Sequence, residues 1–144
     1  MLTDLIATFP NLATEPYTRT SPCTFDYNCI AYASGDQTQR WDPALGFYWP
    51  PGIPRDWKVA TLVRVFDAQG YVPCQNADQE NGFEKVAIYR KKNRATHAAK
   101  QLLDGKWTSK LGDLDDITHT LDGLAGDMYG TPARYMRRPI RVIP

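Results

Sequence analysis

The chain has 144 residues, 42% hydrophobic and 23% charged, with 17 Lys and Arg against 16 Asp and Glu for a formal net charge of +1. That length supports one core and a single domain over 1–144, and the near-neutral balance excludes a general pull toward nucleic acid or anionic membrane. Eleven prolines and ten glycines exclude a helical bundle or coiled coil and point to a mixed α+β domain.

Met1 to Ala13 carries Asp4 and Pro10 and lacks a basic start, the wrong order for a secretory signal. No apolar run approaches the roughly 18 residues of a membrane span, so the chain reads as cytoplasmic. Residues 1–27 read as a helical turn followed by an irregular arm, with 1–23 as the N-terminal arm of the domain. Asn28 then opens a short helix as its N-cap, with Cys29 in the first turn and Gly35 as a stop.

From Gln37 to Arg55 the chain is a loop holding Trp41, Phe47, Tyr48, Trp49 and four prolines. Trp41 and Trp49 are candidate substrate-binding residues in one wall of a cleft, and packing is the competing role. A second helix opens at Asp56, carries apolar residues at Trp57, Ala60, Val63 and Phe66, and stops at Gly70. Tyr71 to Cys74 reads as a short strand. Three strands follow, Phe83 to Tyr89, Thr96 to Leu103 and Lys106 to Leu111, the last two joined by a two-residue turn at Asp104-Gly105. That register pairs Leu102 with Trp107. Asp116 to Leu124 reads as a helix, and the Arg- and Pro-rich segment 133–144 as a tail laid on the surface. The basic clusters at 90–94 and 134–141 read as solvated faces, with no nucleic-acid recognition motif beside them.

Three cysteines, Cys23, Cys29 and Cys74, leave at least one free thiol, and their spacing supports no zinc site. Cys29 sits where a helix start favours thiolate, and His97, on a strand, is a rigidly held base distant in sequence. His119 reads as a structural residue.

The runs Asp26 to Ala33, Thr96-His97-Ala98-Ala99 and Gly105 to Gly112 resemble papain-like-fold cysteine hydrolases, and in order and spacing the small bacterial domains of unassigned function grouped with that fold. The resemblance spans about residues 24 to 130. It implies a cysteine-bearing helix packed on a small antiparallel sheet. Cys29 is then the nucleophile, His97 the base and Ser109 the favoured residue to orient the imidazole, with Asp113 open; in the two-residue register Ser109 points away from His97, and a bulge at Gly105 would bring both Ser109 and Asp113 onto the histidine face. The Cys29 N–H is the first oxyanion donor, and Asn28 or Thr24 supplies the second. The implied activity is hydrolysis of an amide or peptide bond in a peptide or protein substrate through an acyl-enzyme, without a cofactor. The alternative is an inactive module of that fold that binds a protein partner.

Overall fold

Apolar residues fall on both phases of the alternation in Phe83–Lys91: Val86 and Ile88 enter one apolar cluster, Ala87 and Tyr89 another. A strand patterned this way is covered on both faces. The computed structural model describes residues 5–140 and places that strand, β3, inside one sheet with β1 (Thr18–Ser21), β2 (Val72–Cys74), β4 (Arg94–Gln101), β5 (Trp107–Lys110), β6 (Asp116–His119) and β7 (Thr131–Pro139). The seven strands run in the order β1-β6-β5-β4-β3-β7-β2, and every neighbouring pair is antiparallel.

Short helices cover the sheet. Helices α2 (Cys29–Ala33) and α3 (Val59–Asp67) pack with Trp49 on the Val86 and Ile88 side. Helix α1 (Leu5–Thr8), a 3-10 turn at Pro10–Ala13 and α4 (Leu121–Leu124) supply Leu5, Phe9, Leu12 and Leu124 to the Ala87 and Tyr89 side. Among the described residues no helix is long and apolar enough to cross a membrane.

This architecture overturns the expected α+β papain-like fold. The domain is mostly β, a seven-stranded antiparallel sheet with few short helices, and not a helix on a small sheet. Both chain ends explain the difference. The expected arm supplies β1, which pairs with β6. The expected tail supplies most of β7, inserted between β3 and β2 with Met136 fully buried. Its arginines are tolerated because Arg137 pairs with Glu80 and Arg138 with Glu84. The first residues of the arm, the end of the tail and Arg141 lie outside the described residues.

Three local readings also change. The helix expected from Asp116 is strand β6 followed by α4, which Thr120 caps by accepting from the Gly123 N–H at 3.1 Å. Helix α3 starts at Val59, later than expected, because the Asp56 carboxylate accepts from the Lys58 N–H at 3.0 Å and from the Thr61 hydroxyl, bracing the turn before it. The β4–β5 hairpin pairs Gln101 with Trp107 and Lys100 with Thr108, and the Leu102 N–H donates to the Lys106 carbonyl at 2.7 Å. Its loop is therefore Leu103-Asp104-Gly105, with Gly105 at φ 89°, the geometry of a three-residue turn closed by a left-handed glycine. One added residue reverses the parity of β5 relative to a two-residue turn.

Candidate functional site

That parity puts Ser109 on the same face of the sheet as His97. Ser109 and His119 are on neighbouring strands, since β5 and β6 pair Trp107 with His119 and Ser109 with Ile117. The three side chains form a buried chain: His97 Nε2 lies 2.9 Å from Ser109 Oγ, which lies 2.7 Å from His119 Nε2, and His119 Nδ1 lies 2.7 Å from the Thr120 carbonyl.

Donor chemistry sets every proton in it. A carbonyl oxygen only accepts, so His119 carries its proton on Nδ1. Burial holds His119 down to about 4, so at neutral pH its Nε2 is a bare acceptor. Ser109 therefore donates to His119 and accepts from His97, which places the His97 proton on Nε2. Burial, and next the neighbouring His119, push His97 well below its ordinary value, keeping it neutral. Its Nδ1 is then a lone pair with no hydrogen-bond partner among the described residues. Tyr129 stacks on the imidazole with centroids 4.2 Å apart and planes 11° from parallel, and Tyr89 meets it edge-on at 5.4 Å. The ring has little freedom to turn.

Cys29 reaches this neighbourhood from α2. Asn28 caps that helix by accepting from the Ala31 N–H at 3.2 Å, and the same side chain grips the backbone of Trp41, accepting from its N–H at 3.1 Å and donating to its carbonyl at 2.7 Å. Strand β5 pairs with β4 only at Lys100 and Gln101, leaving the earlier part of that β4 edge to other partners. The Ala95 N–H donates to the Trp57 carbonyl at 2.8 Å, and the Ala98 N–H favours negative charge on the Cys29 sulfur. Helix α2, which carries the thiol, packs against β4, the strand of His97. Tyr129, on the other side, stacks on His97 and is electrostatically coupled to Cys29.

The thiol itself differs from the expectation of a lowered pKa. Burial pushes Cys29 up to about 11, against the lowering effect of the Ala98, Ile30 and Cys29 N–H groups and of the Arg40 guanidinium. Desolvation outweighs a helix of five residues. At rest the thiol is protonated and the His97 imidazole neutral.

The remaining predicted residues lie as follows. Asp113 is paired with Arg40 at 2.6 Å and away from His97. The Thr24 hydroxyl accepts from the Asp26 N–H at 3.2 Å, and the side-chain donor of Asn28 is engaged by Trp41. Trp49 is buried in the first core with its indole N–H on the Pro54 carbonyl at 2.9 Å; Trp41 is half-buried, with its indole N–H on Asp36 at 2.9 Å. Trp107 is buried in the second core, while Trp57 lines a cavity. Two members of the site were missed as such, His119 and Tyr129. The Ile117, His119 alternation in β6 carried a signal for the first, although four residues are too few for a period to stand out. Among the described residues no group of three His, Cys, Asp or Glu is placed to hold a metal ion.

The chain belongs to the family described as a domain of unknown function, DUF7689, whose model matches residues 18–137. All of the site residues fall within that match. No curated protein and no solved structure matches the chain.

Proposed function

We propose that this DUF7689 member is a thiol hydrolase that cleaves an amide or peptide bond with Cys29 as nucleophile and His97 as base. As Cys29 attacks the carbonyl carbon, its proton passes to the Nδ1 lone pair of His97 and a tetrahedral intermediate forms. The proton then goes to the leaving amine as the C–N bond breaks, leaving a thioester on Cys29. Water attacks the thioester with His97 again taking the proton, and the acid and free thiol are restored. The Cys29 and Ile30 N–H groups and the Arg40 guanidinium favour negative charge at this point. A reduced thiol fits the cytoplasmic placement read from the sequence, and Cys29 is unbridged.

The observation that carries this reading is the proton order of the Thr120, His119, Ser109, His97 chain, which fixes one tautomer and leaves a buried Nδ1 unpaired. An unpaired buried acceptor costs about 1–3 kcal/mol, and a lone pair left open in this way is free to take a proton. Ser109 acts as a positioning residue by holding the imidazole and its tautomer. The competing reading, a non-catalytic module that binds a protein partner, is favoured by the burial of the thiol, which is 8% exposed.

Alkylation by iodoacetamide, mapped to each cysteine by mass spectrometry across acid to alkaline pH, separates the two. A Cys29 whose proton is taken by neutral His97 as the sulfur attacks shows a rate plateau through neutral pH, because His97 is an unprotonated base over that whole range, and His97→Gln abolishes the plateau. An ordinary buried thiol gains roughly tenfold per pH unit toward its pKa, because only the thiolate attacks. That profile, unchanged by His97→Gln, would overturn the hydrolase reading. Cys23, which is exposed, serves as the internal reference.

A further inference from the structure

Tyr129 has two neighbourhoods. One holds the His97 ring; the other is an open cavity of about 660 Å³, within the range of roughly 300–1,000 Å³ common for ligand sites. Trp57, Thr96, Met128 and Tyr129 line it, and Lys91, Lys92 and Arg94, from the β3–β4 hairpin, add three cations. Among the described residues none of the three has a carboxylate within ion-pair distance. Lys91 donates to the Asp127 carbonyl at 2.6 Å, and the Arg94 guanidinium lies 5.7 Å from the centre of the Trp57 ring. Met128 is 53% exposed.

Lys92 stands at φ 56°, the one non-glycine residue among those described with positive φ. Glycine would adopt that turn without strain, whereas an L side chain there is strained. Lysine at this corner keeps a third cation on the cavity at the expense of the turn.

We propose that this cavity binds the carboxylate of a peptide, with the adjoining apolar side chain on Met128. Its role as a substrate subsite rests on the hydrolase reading, because the cavity wall is the ring that stacks on His97. Peptide chemistry fits better than a nucleobase, since Arg94 already lies over Trp57 and His97 over Tyr129, which leaves these aromatics poorly placed to stack a base.

The test uses the full chain as Cys29→Ser, to prevent turnover, and three probes: N-acetyl-Leu-Glu amide, its Gln counterpart, and N-acetyl-Leu-Gln with a free terminal carboxylate. Binding is read by tryptophan fluorescence at low and high salt. A carboxylate-bearing probe should bind about tenfold more tightly than the neutral one at low salt, with the gap closing as salt screens it. The two charged probes distinguish a side-chain carboxylate from a chain terminus. Lys92→Gly, which relieves the turn and should raise the melting temperature, should weaken the charged probe several-fold and leave the neutral one unchanged; Arg94→Gln should do likewise. Equal binding of all three probes, or tighter binding of a short oligothymidylate, would overturn the proposal. Charge-selective binding beside a Cys29 alkylation profile without a plateau would retain the peptide site and remove the hydrolase; a plateau without charge selectivity would do the reverse.

Discussion

Gly130→Ala will destabilise the domain by about 3–5 kcal/mol, a large part of the roughly 5–15 kcal/mol that holds an ordinary domain together. A Cβ at this glycine would stand 2.0 Å from the Arg90 carbonyl oxygen and 2.7 Å from its carbon, both backbone atoms with no side chain to give way. The residue also sits at φ 72°, which adds about 1–2 kcal/mol for any L side chain. Gly46→Ala is the matched comparison, since its φ is 97° but nothing lies within 4 Å of the added carbon. Urea melts should show the Gly130 variant well below the Gly46 variant; equal losses would mean that the close approach to β3 is not real. The effect reaches the site because Gly126 and Gly130 clamp the turn that presents Tyr129, exchanging N–H to carbonyl bonds at 2.9 and 2.7 Å. The Thr96 hydroxyl fixes the same turn by donating to the Tyr129 carbonyl at 2.6 Å.

Acidification between pH 6.5 and about 4 will remove roughly 3 kcal/mol of stability through His119 alone, the equivalent of its displacement from 6.5 to about 4. In this window the unfolded chain takes up a proton that the folded chain refuses, so unfolding gains as pH falls. His97 is lowered in the same direction and adds to the loss. The carboxylates held low by hydrogen bonds and ion pairs, Asp56, Glu80 and Glu84 among them, act below their ordinary values and so enter only near the acid end. Denaturant melts at neutral pH and near pH 5 measure the loss. His119→Gln, less stable at neutral pH for want of its full hydrogen bonding, should lose clearly less on acidification. A wild-type stability flat across that interval would contradict the buried neutral pair.

How much of this was legible depends on the length scale of each signal. Asn28 before a compact apolar run names the cap and helix of Cys29–Ala33 outright, because capping is local. The Ser109 contact with His97 required the hairpin register, and Asp104-Gly105 is the usual mark of a two-residue turn. Leu103, 76% exposed, is the residue that extends the loop, and nothing in its type announces it. Strand β7 was hidden by its own composition. Arg134, Arg137 and Arg138 between Pro132 and Pro139 resemble a solvated tail, and only the partners Glu80 and Glu84, more than fifty residues earlier, make a strand of it. Once β7 and β1 join the sheet, the small sheet of the papain-like expectation becomes a seven-stranded one. Fold class here was set by long-range pairing at the chain ends, which local pattern does not carry.

Nitrogen-15 NMR of the histidine rings at neutral pH reads the proton order of the buried chain directly. The expected spectrum shows a neutral His97 protonated on Nε2 with a bare Nδ1, and a neutral His119 protonated on Nδ1, neither titrating until well below pH 6.5. Ser109→Ala should release the His97 tautomer into a mixture while leaving His119 fixed by Thr120. A His97 protonated on Nδ1, or carrying a full charge at neutral pH, would leave Cys29 without an acceptor for its proton and rule out the proposed proton transfer.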